Sequence, residues 1–128
     1  MTRVATAVLL AVLSVSGCGG GSDSGPAGVD GNKQISDLSL AEEEALCDWF
    51  AGKAGGYGKP KTCAEGFISA PADKAECIAD FPDCSVKVSV FESCIEKIMA
   101  AQATCTTAAL AGAMADADCQ TVGAAGCF

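Results

Sequence analysis

Apolar side chains recur at helical spacing in three places along the chain, and each run begins or ends on a recognisable signal. Leu46, Trp49 and Phe50 fall at i, i+3 and i+4, the spacing of one apolar helix face. Ahead of them, Ser39-Leu40-Ala41-Glu42 has the form of a capping box, in which the serine accepts from the N3 amide and the glutamate reaches back. Glu42, Glu43 and Glu44 then lie in or near the first turn, where the helix dipole favours negative charge. Gly55-Gly56 supplies a C-terminal stop. A second, shorter helix is predicted from about Pro71 to Phe81, ended by Pro82, with Ala75, Ile78 and Ala79 facing inward.

The third run has the clearest pattern. Ser89-Val90-Phe91-Glu92 reads as another capping box, and Phe91, Cys94, Ile95 and Ile98 follow at i, i+3, i+4 and i+7. Just before it, Val86-Lys87-Val88 alternates and predicts a short extended arm. The Ala-rich stretch from Thr107 to Ala115, with Leu110 and Met114 four apart, predicts a fourth helix. The expected fold is all-α: a small bundle of three to four short helices over residues 35–128.

The N-terminal part follows a different pattern. A short basic start ending at Arg3 precedes an uncharged apolar run from Val4 to Val15. Twelve residues at about 1.5 Å each reach about 18 Å, short of a hydrocarbon core of roughly 30 Å, so the segment has the proportions of a secretory signal. The run ends in Val15-Ser16-Gly17-Cys18, which resembles the bacterial lipobox. That resemblance implies cleavage before Cys18, a thioether-linked diacylglycerol on its sulfur, and acylation of its amine with a fatty acid such as palmitate. Two or three acyl chains, at about 0.8 kcal/mol per buried CH₂, anchor stably. Residues 1–17 are thus expected to be a signal peptide. Residues 18–34, with six glycines and only Ala27 and Val29 apolar between Gly19 and Asn32, are expected to form a flexible tether that buries too little to order itself.

Cysteine is the dominant chemistry of the remainder. Of nine cysteines in 128 residues, Cys18 belongs to the anchor. That leaves Cys47, Cys63, Cys77, Cys84, Cys94, Cys105, Cys119 and Cys127, an even number in a chain addressed out of the reducing cytosol, and hence four expected disulfides. The intervening gaps of 15, 13, 6, 9, 10, 13 and 7 residues contain no metal-binding knuckle and no C-x-x-C redox centre. Eight cysteines allow 105 connectivities, which spacing does not choose between. Cys47, Cys77 and Cys94 fall within predicted helices and Cys63, Cys84 and Cys105 after them, so helices stapled to loops or to one another are expected. At each disulfide's typical 2 to 4 kcal/mol, four supply a large part of the stability of so small a body.

With these pieces in place, the chain resembles the cysteine-rich lipoproteins of the myxobacterial type. The resemblance is carried by the lipobox and Gly-rich tether, Leu46-Cys47-Asp48-Trp49 with the Gly55-Gly56-Tyr57-Gly58 turn, the stretch from Cys84 to Cys94, and the closing cysteines. It implies a stapled helical domain on a lipid anchor and carries no catalytic residue.

Composition narrows the possible chemistry further. There is no histidine, and 16 acidic side chains stand against 8 basic ones, a formal charge of −8. Cleavage before Cys18 removes the only arginine and leaves 111 residues with seven lysines and a side-chain charge of −9. Histidine-based triads and histidine metal sites are excluded, nucleic acid is disfavoured as a partner, and anionic headgroups repel all but the acyl chains. Gly19, rather than Asp, follows the lipidated cysteine, a context that lipoprotein sorting associates with the outer membrane.

The remaining candidates each have a plainer reading. Asp23-Ser24-Gly25 lies in the tether with no base, and Gly19-Gly20-Gly21 lacks the strand and lysine of a phosphate loop. Glu42, Glu43 and Glu44 point about 100° apart and do not converge on one ion. Asp80, Asp83, Asp116 and Asp118 lack EF-hand spacing. Trp49, Phe50 and Tyr57 read as core, and Glu92 with Glu96 as an exposed carboxylate pair and not a glycosidase couple. No catalytic residue, metal or cofactor is therefore assigned, and the chain is not expected to be an enzyme. The expectation is a non-catalytic binding or interaction module of the bacterial envelope, held to the membrane at Cys18, with a protein or envelope polymer as partner. The alternative is a structural or protease-inhibitor-like envelope protein.

Overall fold

The structure, a computed structural model, describes residues 24–63 and 66–128, with side chains outside 60–69. It is a small disulfide-rich helical bundle. Helix α1 spans Leu40–Lys53, α2 Lys74–Ala79, α3 Val88–Thr104, α4 Thr107–Met114 and α5 Ala117–Ala124. One antiparallel ribbon lies between α1 and α2: β1 (Pro60–Cys63) and β2 (Gly66–Ser69) pair Pro60 with Ser69 and Cys63 with Gly66. No helix among the described residues is long and apolar enough to cross a membrane.

Helix α1 follows its sequence signals closely. Ser39 is the N-cap, its N–H donates to Glu42 Oε2 at 2.9 Å, and its hydroxyl donates to the same oxygen at 2.7 Å, within a capping box. Lys33 Nζ reaches the same carboxylate at 2.6 Å. The lysine contact and the serine N–H hold the Glu42 pKa far below its ordinary value, at about 2. A depressed carboxyl contributes stability above its unfolded pKa, and this is lost as pH falls from 4.5 toward 2. At the other end Gly55 and Gly56 take φ of +92° and +118°, and the Gly56 N–H closes back on the Ala51 carbonyl at 2.7 Å, a Schellman-type end that favours glycine.

Helix α3 corrects the second capping box. It starts at Val88 with Lys87 as N-cap and no side-chain cap bond, so Ser89 and Glu92 lie too far into the helix to close a box. Its first amides are capped from elsewhere in the chain: Val88 N–H donates to the Lys33 carbonyl at 2.8 Å and Ser89 N–H to that of Gly31 at 3.0 Å. The extended arm is present, with Gln34 bridged to Lys87 and the Ile35 N–H on the Val86 carbonyl at 2.8 Å. Ser39→Ala is therefore expected to cost about 1 kcal/mol, whereas Ser89→Ala, exposed and not a cap, stays within about 0.5 kcal/mol. Urea unfolding of the two variants measures the difference.

These contacts also correct the extent of the tether. Residues 18–23 lie outside the described ones, but 24–34 lie against the body. Val29 is buried, Ser24 bridges Asp30, and the Ala27 N–H donates to Glu92 Oε1 at 3.0 Å. A glycine-rich segment too poor in side chains to order itself is ordered here because its carbonyls supply the helix cap that α3 lacks.

The core gathers Val29, Ile35, Leu46, Val86, Val88 and Val122 around Cys94 and Cys119, with Trp49, Phe91 and Ile98 packed on its edge. Helix α3 is central, packing on α4 and α5, while α2 sits on α1. Two further expectations change. Helix α2 starts at Lys74, because Asp73 is its N-cap and accepts from the Glu76 N–H at 2.9 Å. It buries no residue: Ala75 and Ala79 are exposed and Ile78 is only partly covered. Helix α5 lies beyond the helices that the sequence pattern predicts. Asp116 caps it through the Asp118 N–H at 2.9 Å, and Cys119 and Val122, one turn apart, are its buried face.

Candidate functional site

The cysteines come together as bonds. Cys47 of α1 is joined to Cys77 of α2, Cys94 of α3 to Cys119 of α5, and Cys84, ahead of α3, to Cys127, after α5. Cys105, the left-handed C-cap of α3, is also disulfide-bonded. Cys63 closes β1, and its side chain lies outside those described, as does the expected lipidation site Cys18. Two of these pairs tie helix to helix, as the sequence anticipates, and the third ties the loop ahead of α3 to the segment after α5, a loop-to-loop bond outside that expectation.

Two of these bonds frame a feature that the sequence did not reveal. Between α1, α2 and α3 lies an open groove of about 190 Å³. Leu46 and Phe50 line it from α1, Phe81 from the turn after α2, and Phe91 and Ile95 from α3. Phe128, 61% exposed, forms its outer lip. The Phe81 and Phe91 rings lie 6.4 Å apart, inclined at 51°. Cys47, Cys77 and Cys127 also line the groove, so the Cys47–Cys77 bond holds α2 as one wall and the Cys84–Cys127 bond sets the position of Phe128. Asp80, the exposed C-cap of α2, is the charged side chain of the lining. The groove draws its residues from segments as far apart in the chain as Leu46 and Phe128. Phe81, Phe91 and Phe128 share no local period, which is why no sequence pattern marks it.

The other candidates separate into structural roles. Asp116 and Asp118 both turn to Lys97, at 2.6 and 2.8 Å, and Ser93 Oγ donates to Asp118 at 2.6 Å. Lys97 holds both carboxyls below their ordinary value. Glu42 sits in the Ser39 box, and among the described residues no group of three Cys, Asp or Glu side chains is arranged to hold a metal. Trp49 packs on the core with the Lys53 ammonium 5.7 Å from its ring. The Tyr57 hydroxyl donates to Asp48 Oδ1 at 2.9 Å, and burial together with that carboxylate pushes its pKa up to about 12.

Glu92 and Glu96, read as an exposed pair, have different surroundings. Glu96 accepts from Lys53 at 2.8 Å on the surface. Glu92 is 2% exposed, and its Oε2 has no hydrogen-bond partner among the described residues. A Cβ built on Gly25 would lie 1.8 Å from that oxygen, so only glycine lets the chain pass over it. Burial raises the Glu92 carboxyl above its ordinary value, against the opposing Ala27 N–H bond and with help from the Glu96 charge. No protein-family model matches the chain, and neither a curated protein nor a solved structure does.

Proposed function

We propose that this chain is a lipid-anchored protein of the bacterial cell envelope, of the cysteine-rich lipoprotein type that its sequence resembles. In this reading its helical body is a non-catalytic binding module for a protein or envelope polymer. The observation that carries the proposal is the groove: an open apolar surface lined by three helices and braced by two disulfides. Exposed apolar concavities of this kind are where soluble domains take up partners. Disulfides support a compartment outside the reducing cytosol. Val15-Ser16-Gly17-Cys18 supports acylation at Cys18, and Gly19 supports the outer membrane over the inner one. The excess of acid favours a cationic partner and makes association sensitive to salt.

Growth of a producing bacterium with alkyne-tagged palmitate is expected to label the chain, and Cys18→Ala to remove both the label and the envelope association. Photo-cross-linking from the Phe128 position in the native envelope is expected to give one discrete adduct that fades at high ionic strength. Label that survives Cys18→Ala overturns the anchor. Stoichiometric inhibition of secreted proteases with no adduct transfers the assignment to the inhibitor-like alternative.

A further inference from the structure

We infer that the groove is the docking site for a cationic peptide segment bearing one aromatic or branched aliphatic anchor. The inference deepens the binding-module reading and rests on it. The size of the groove sets the anchor. A cavity of about 150 Å³ takes one benzene molecule, so about 190 Å³ accommodates a single large side chain and not the length of an acyl chain. The walls set its polarity: every lining side chain except Asp80 is apolar or a bonded cysteine, and the offset rings of Phe81 and Phe91 suit an aromatic insert.

Charge sets what flanks the anchor. Helix α2 and its two ends carry Asp73, Glu76, Asp80 and Asp83 against one lysine, Lys74, and that lysine is held by Asp48 at 2.7 Å. Three of the other six lysines are likewise engaged: Lys33 with Glu42, Lys53 with Glu96, and Lys97 with Asp116 and Asp118. The groove wall formed by α2 is therefore a negative margin, with Asp80 where a lysine or arginine beside the seated anchor would meet it. A second copy of this chain, whose processed form carries a side-chain charge of −9, is repelled where a basic segment is attracted.

The test uses the processed, acylated and oxidised chain in phosphatidylcholine nanodiscs, whose zwitterionic surface does not itself attract the probe. The probe is a capped pentapeptide with phenylalanine at its centre and two lysines on each side. Its counterpart carries glutamates in place of the lysines, and affinity is read by fluorescence anisotropy. The lysine peptide is expected to bind the wild-type chain, with affinity falling at least about tenfold from roughly 50 to 500 mM salt. Asp80→Asn and, separately, Phe128→Ala are each expected to weaken it fivefold or more. Asp30→Asn, an exposed acid outside the groove lining, is expected to stay within twofold. Far-ultraviolet circular dichroism checks that each variant keeps its helices.

Equal binding of the glutamate peptide overturns the assignment, as does an equal response to Asp80→Asn and Asp30→Asn, which marks diffuse attraction. Sedimentation as a dimer that the peptide leaves intact overturns it too, because the groove then belongs to a second copy. If the peptide fails but the envelope cross-link at Phe128 persists, only the cationic occupant falls. If both fail, the binding-module reading falls with it.

Discussion

Replacing Cys94 and Cys119 together by alanine is expected to lower stability by about 3.5 kcal/mol. Their bond closes a loop of 25 residues, and loop-closure entropy in the unfolded chain gives that magnitude. For a body of about 100 residues this moves the melting temperature down by about 15 to 25 °C. Both cysteines are buried, at 0% and 1% exposure, and they join α3 to α5 at the centre of the core, so the transition should remain a single cooperative one. The Cys47–Cys77 bond is the instructive contrast. Its loop of 30 residues predicts a similar entropy, but α2 buries no residue of its own and packs on α1. Removing that bond should release α2 locally, with amide exchange accelerating at 74–79 while the main transition moves much less. Calorimetry of both double variants, with exchange mapped by mass spectrometry, measures the contrast. Equal shifts in the main transition would show that α2 belongs to the cooperative core, contrary to its burial.

Local chemistry is what the sequence made legible. Ser39, Glu42 and the Gly55-Gly56 pair act within a few residues of one another, so α1 could be read almost to its ends. The face of α3 was legible because Phe91, Cys94, Ile95 and Ile98 repeat along one element. Its start was not. The atoms that cap it, the carbonyls of Gly31 and Lys33, come from far earlier in the chain, and a nearby serine and glutamate at box spacing offered a false local solution. The same distant bonds hold 24–34 against the body, where glycine content alone predicts a tether. Glycine composition reports how little a segment buries, whereas order here comes from backbone donors and acceptors on α3. Helix α5 does carry a local signal. Asp116 ahead of Cys119 and Val122 is a cap before a two-residue apolar face, which becomes visible once a cysteine is counted as a core residue as well as a bridging one.

The site was less legible than the fold for a related reason. Parity and compartment predict that cysteines are bonded, but which bonds form depends on where the helices pack, and the groove depends in turn on those bonds. Asp80 illustrates the chain of dependence. In sequence it is one acid among sixteen. It becomes a candidate recognition residue only because Cys47–Cys77 holds α2 beside Phe50, and Cys84–Cys127 brings Phe128 across from it.

Glu92→Gln is expected to gain stability over the wild-type chain as pH rises from 4 to 8, because it removes the negative charge that burial disfavours while keeping the shape of the side chain. The wild-type side chain buries a carboxylate that receives one hydrogen bond from Ala27 and none at Oε2 among the described residues. The sign follows from linkage. A carboxyl whose folded pKa lies above its ordinary value of 4.5 contributes stability that is fully present below that value and is lost as pH rises through the folded pKa. The advantage of glutamine should therefore be small at pH 4 and grow on the way to pH 8. The groups facing Glu92 make the comparison clean. Glu96 adds repulsion but is paired with Lys53, and Gly25 and Ala27 contribute backbone only. The wild-type profile alone would not isolate the effect, because Glu42, Asp116 and Asp118, all held below their ordinary values, lose their contribution as pH falls. Subtracting the two urea-unfolding profiles cancels those terms. Gly25→Ala adds a second reading, since its methyl group must displace the Glu92 carboxylate. It should destabilise the wild-type chain by about 1 to 3 kcal/mol and cost much less in a Glu92→Ala background. A Glu92→Gln difference that is flat from pH 4 to pH 8, or a Gly25→Ala cost unchanged in that background, would mean that Glu92 lies in contact with water and that the 24–30 segment does not close over it.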